Sequence, residues 1–239
     1  ALSWNMAIPE VRDHKLSYIK EACQQADWDG VELDWQRHPF HFPENHGYRL
    51  RYALTDLQNS LRQMANEISD QRGRPFYVAV RVATTLESCR RIGYDVPKWV
   101  TTELCDIVVG AGGSGTDPGF EVSDFKNLTE GSGIQLYGGF DSLGRQEAKR
   151  LVSHDNWRDA WIRANAARYY DQGADGVYTF NWFPGKEDWS GLLNTLGSPQ
   201  TLKGEDKIYT SLHRGATYLV KEKPNAVNDR IRGETSVVL

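Results

Sequence analysis

The sequence predicts an α/β protein, a (β/α)8 barrel of which five strand units are present, and three observations predict it. Apolar stripes at helical spacing alternate with short β-branched runs through about the first two hundred residues. Polar, aromatic or glycine-bearing loops follow most of those runs, as at the C-terminal mouth of a barrel. The alternation itself implies parallel pairing with right-handed crossovers, because a parallel partner cannot be reached by a tight hairpin.

Pro9 and Glu10 suit the first turn of a helix, Leu16, Ile19, Cys23 and Ala26 continue it, and "GVELDW" follows as a strand. Leu54, Leu57, Leu61, Met64 and Ile68 form a second stripe that ends near "DQRGRP", and "FYVAVRV" follows. A short helix around "VPKWVTTEL" leads to "DIVVGA", and a glycine-rich, irregular stretch leads to "IQLYGGF". A helix carrying Trp157, Ala160, Trp161, Ala164 and Ala167 leads to "GVYTFNWF". Five strands fall short of eight, and a whole barrel takes ~250 residues. The remaining units are expected from N-terminal chain or from another copy in a homo-oligomer. Residues 1–204 are assigned to the barrel. Residues 205–239 are assigned to a C-terminal extension or the start of a β-rich segment, since "DKIYTSLHRGATYLVKEK" alternates like strands.

Twenty-eight basic against 32 acidic residues give a net charge of −4, without the basic stripe that nucleic-acid phosphates require. No apolar run approaches the ~20 residues of a membrane span. Cys23, Cys89 and Cys105 lack CxxC spacing and read as buried thiols. His38, His41 and His46 crowd one loop without a tight metal-ligand pattern, and "GAGGSGTDPG" lacks the ending of a phosphate loop, so no metal or cofactor is expected.

The chemistry concentrates in "DWDGVELDWQRHPF", residues 27–40. Successive strand residues face opposite ways, so Glu32 and Asp34 share the barrel interior while Val31, Leu33 and Trp35 face the helices. A buried carboxylate requires a cation, and Arg81 in the next strand is the candidate for an interior ion pair with Glu32. Asp34, one step nearer the C-terminal end, is expected at the barrel mouth, followed by Arg37 and His38. Tyr137, Asp141, Asn181 and Trp182 border the mouths of later strands, with Trp182 offering a flat face to a sugar ring.

"DGVELDWQ" resembles the D-G-x-D-x-D-x-E signature of family-18 chitinases, whose final Glu is the general acid. Gln36 stands there instead, and an amide cannot donate that proton. "PEVRDHKLSYIKEA" followed by "ADWDGVELDWQRHPF" more closely resembles the P-E-V-R-D-y and D-G-I-x-x-D-x-x-R-[YFH]-P pattern of glycosyl-hydrolase-like family ten barrels of bacterial cell-surface proteins. "RIGYDVPKWVTTELCDIVVGA" and "GADGVYTFNWF" are similar to the same family's sixth and eighth strand regions. The resemblance implies that the strands are numbers four to eight of a glycan-directed barrel, exported to the periplasm or the cell exterior, with Asp34 and Arg37 at the motif's polar positions. Two function classes follow. In a hydrolase, Asp34 and Glu32 are the candidate catalytic carboxylates, and Arg37, His38, Arg81, Tyr137, Asp141, Asn181 and Trp182 bind the polysaccharide. A non-catalytic glycan-binding barrel keeps the contacts and lacks the acid.

Overall fold

A computed structural model describes residues 4–36, 39–112, 116–141, 157–182 and 190–209. Strands β1 (Gly30–Asp34), β2 (Tyr77–Val82), β3 (Ile107–Gly110), β4 (Gln135–Asp141) and β5 (Gly176–Phe180) form one parallel sheet in chain order. The helices among the described residues are α1 (Pro9–Gln24), α2 (Gly47–Arg72), α3 (Leu86–Ile92), α4 (Val96–Thr101), α5 (Val122–Thr129), α6 (Trp157–Asp171), α7 (Ser190–Leu196) and α8 (Pro199–Leu202). The result is the α/β half-barrel expected from the alternation, and all five expected strands are present. None of the described helices is long and apolar enough to cross a membrane.

Helix termini follow local chemistry. Pro9 sits in the first turn of α1, and α2 stops at Gly73, whose left-handed φ of 67° a β-carbon would strain. Four of the described helices, α3, α5, α7 and α8, lie where sequence reading placed none. Thr85 starts α3 by accepting the Ser88 backbone N–H, and α5 occupies part of the stretch read as irregular. Beyond β5, "LGSPQTLKGEDK" carries α8, whose Ser198 and Thr201 form a reciprocal capping pair. Of the expected C-terminal extension, residues 210–239 lie outside the described residues.

The core lies between the sheet's convex side and the helices. Leu33, Val78, Val80, Val82, Val108, Leu136 and Phe140 alternate onto that side and meet Leu54, Leu61, Trp99, Phe125, Ile162 and Tyr169. Cys23, Cys89 and Cys105 are buried free thiols, as expected. The sheet's N-terminal end is tied by aspartates that precede strands. Asp106 accepts the Val78 N–H and pairs with Arg62 at 2.8 Å, while Asp175 accepts the Leu136 N–H and pairs with Lys126 at 2.9 Å. Charge at that end holds strands together, which leaves the concave face and the C-terminal mouth for function.

Candidate functional site

The concave face is built by residues of one parity. Glu32 and Asp34 of β1, Arg81 of β2, Tyr137 of β4, and Tyr178 and Phe180 of β5 share it, as the pairings Asp34↔Arg81, Arg81↔Val109, Val109↔Tyr137 and Tyr137↔Gly176 require. The middle of the face is low. Gly139 on β4 has no side chain, and a β-carbon there would lie 2.5 Å from that of Ala111. Residues of β5 therefore reach across to β1 and β2.

Asp34, not Glu32, takes the arginine. Arg81 Nη1 lies 2.7 Å from Asp34 Oδ1, and Asp34 is the strand partner of Arg81 in register. Glu32 pairs in register with Ala79, one step below the guanidinium. The expected Glu32–Arg81 pair is thus corrected by strand register. Arg81 is 1% exposed; its Nη2 donates to the Gly112 carbonyl at 2.6 Å, and its guanidinium lies 4.2 Å from the Phe180 ring centre. Its contacts are with the protein, and it holds Asp34 at the strand end. Asp34 Oδ1 also accepts the Gln36 backbone N–H at 3.0 Å, while Oδ2 makes no hydrogen bond among the described residues.

Glu32 is exposed on the open face and accepts the Tyr178 hydroxyl proton at 2.9 Å. Desolvation by the flanking protein raises its pKa above the ordinary carboxylate value, the Tyr178 hydrogen bond opposes this, the Asp34 charge adds to the rise, and Arg81 opposes it. Desolvation and the Glu32 charge raise the Tyr178 phenol in turn, so it remains a donor. Gln36 is fully buried, and its side-chain amide has no hydrogen-bond partner at either end among the described residues. Behind the strand end, His41 is buried against Trp35 and Tyr94. Its Nε2 lies 3.2 Å from the Trp35 carbonyl and 3.1 Å from the Tyr94 hydroxyl, and burial lowers its pKa to about 4.

The remaining expected residues scatter around this centre. Tyr137 is half-buried and its hydroxyl donates to Gln135 on its own strand at 3.0 Å. Asn181 turns the chain at the end of β5 with a left-handed φ of 56°, a conformation asparagine tolerates, and Trp182 packs against the apolar core. Asp141 ends β4 opposite Phe180 in register; its side chain, like Arg37 and His38, lies outside the described residues. Sequence reading passed over Tyr178 and Phe180. Their shared parity on β5 is the same signal that singled out Glu32 and Asp34 on β1.

Known structures share this arrangement of strands and helices. A glycoside hydrolase family 18 N-acetylglucosaminidase from Paenibacillus barengoltzii superposes with a TM-score of 0.56 at 14% identity, over 82% of this chain and 77% of that one. A class V chitinase from Nicotiana tobaccum gives 0.52 at 16% identity, over 83% and 75% of the two chains. The fold is a partial TIM barrel, similar to part of the barrels of these glycoside hydrolases. A glutamate-to-glutamine mutant of the tobacco enzyme, solved in complex with NAG4, gives 0.53 at 15% identity, over 83% of this chain and 75% of that one. Chitinase ChiW of a Paenibacillus strain, described as bacterial cell-surface-expressed and multi-modular, gives 0.50 at 12% identity, over 82% of this chain and 31% of that one. No family model matches the sequence, and no curated protein matches it.

Proposed function

We propose that the chain is a glycoside hydrolase-like protein that acts on a polysaccharide on the concave face of its sheet, beside Asp34. One observation carries this reading. A single strand presents two carboxylates to an open face in different settings, Asp34 against a buried guanidinium and Glu32 against a phenol from the opposite strand. Hydrolysis of a glycosidic bond uses two carboxyl groups with separate tasks, and such differences in setting are how one fold separates them. Arg37 and His38 follow Asp34 in the sequence, Asp141 ends β4, and Asn181 and Trp182 follow β5; they are assigned to glycan binding on that ground, together with Tyr137 on the concave face. The finer assignment, to glycosyl-hydrolase-like family ten with export to the periplasm or the cell exterior, rests on the "PEVRD" and "DGVELDWQRHPF" motifs.

The test is a panel of soluble polysaccharides together with NAG4, scored for binding by calorimetry and for hydrolysis by new reducing ends. Asp34→Asn is expected to lose on the order of 10²-fold or more in turnover while circular dichroism shows a folded chain. Undiminished turnover in that variant overturns the assignment. A second reading, a non-catalytic glycan-binding barrel, is favoured by Gln36, an amide where the family-18 signature carries its acid. Binding without any new reducing ends selects it.

A further inference from the structure

Three carboxyl or amide side chains lie at the C-terminal half of β1 and just beyond it, and they are not equivalent. Gln36 has no ionisable proton and is fully buried. Asp34 uses one oxygen for both Arg81 and the Gln36 backbone N–H, so that oxygen is taken up by two donors. Glu32 has one partner, the neutral hydroxyl of Tyr178, on Oε1; its Oε2 makes no hydrogen bond among the described residues, and the side chain is exposed. We propose that Glu32 is the proton donor of the site and that Tyr178 is the residue that positions it. The proposal rests on the hydrolytic reading above.

The geometry divides the carboxyl between its two oxygens. Tyr178 reaches from β5 across the face and fixes Oε1, which leaves Oε2 to carry the proton toward a bound glycan. In the reaction, the bond between the anomeric carbon and the leaving oxygen breaks, and its electron pair stays on that oxygen. The Glu32 proton goes to the same oxygen. Water then adds to the anomeric carbon and returns a proton to the Glu32 carboxylate, which accepts the Tyr178 hydrogen bond in the interval. Among the described residues, the charged or titratable groups that face Glu32 are Asp34 on its own strand, Arg81 on β2 and Tyr178 on β5. Flanking protein and the Asp34 charge keep the proton on Glu32 to higher pH than on an ordinary glutamate, as a general acid requires.

Carboxyl-13C labelling of glutamate in the full chain reads the proposal without a substrate. Glu32, assigned by its loss in Glu32→Gln, is expected to titrate above the ordinary glutamate value. Tyr178→Phe removes a hydrogen bond that favours the carboxylate, so the midpoint moves up, and Asp34→Asn removes a like charge, so it moves down. On any glycan the panel finds to be cleaved, Glu32→Gln is expected to lose at least about 10²-fold in kcat, and much less on a dinitrophenyl glycoside whose leaving group needs no proton. In Tyr178→Phe the alkaline limb of the pH profile follows the new Glu32 midpoint. An ordinary Glu32 titration that Tyr178→Phe leaves unmoved, or equal losses on both leaving groups, overturns the proposal and leaves the hydrolase reading standing. Wild-type protein that binds glycan and never cleaves it overturns both.

Discussion

Arg81 and Asp34 stand opposite each other on adjacent parallel strands, with 2.7 Å between Nη1 and Oδ1, the arginine 1% exposed and the aspartate 29%. The asymmetry in exposure makes the arginine the costlier partner to strand, since its charge has no water to fall back on. Arg81 is therefore better described as a fixed support for Asp34 than as a hand extended to a ligand.

Arg81→Leu is expected to lower stability by about 3 kcal/mol, the low end for breaking a buried pair, because Asp34 keeps some water. Arg81→Lys recovers little of it, since an ammonium cannot serve Asp34, the Gly112 carbonyl and the Phe180 face together. Urea midpoints measure both, and a wild-type midpoint in Arg81→Leu contradicts the pair's importance.

His41 makes the fold sensitive to acid. Neutral in the folded chain down to about pH 4, it takes a proton near its ordinary value once the chain unfolds. Its contribution is complete above about pH 6.5 and is lost as the pH falls through the window to about 4, amounting to roughly 3 kcal/mol. His41→Gln is expected to flatten the melting-temperature profile across that window. An equally steep profile in the variant assigns the loss to other groups.

The three thiols are expected to be silent in the native protein. Burial raises Cys23 and Cys89, and raises Cys105 to about 12. Ellman's reagent at mildly alkaline pH should titrate no thiol before denaturant is added and three afterwards. A fast native reaction places a cysteine at the surface.

Gly138 carries a packing demand. A β-carbon there would lie 2.1 Å from Cδ2 of Tyr169, which is fully buried, stacks on Phe140 at 5.2 Å between ring centres, and donates to the Asp117 carbonyl. The ring has nowhere to go, so Gly138→Ala is expected to cost about 1–3 kcal/mol through overpacking. A neutral effect on the unfolding midpoint would mean that β4 shifts away from α6.

Much of this molecule is legible in the sequence, because strand parity and helical spacing are local. The five strands fall where "GVELDW", "FYVAVRV", "DIVVGA", "IQLYGGF" and "GVYTFNWF" stand, and Leu33 and Trp35 are buried opposite the face of Glu32 and Asp34. Local signals also marked α3, whose Thr85 cap and terminal Gly93 were overlooked. The interior pairing was beyond that reach. Whether Arg81 meets Glu32 or Asp34 depends on the register of two parallel strands, which no pattern within either strand alone specifies. The contact of Tyr178 with Glu32 joins residues 146 positions apart and exists because the sheet curls until its first and last strands face each other across a floor made low by Gly139. Sequence determined which residues share the concave face; tertiary structure decided which of them touch, because curvature and register are properties of the packed sheet as a whole.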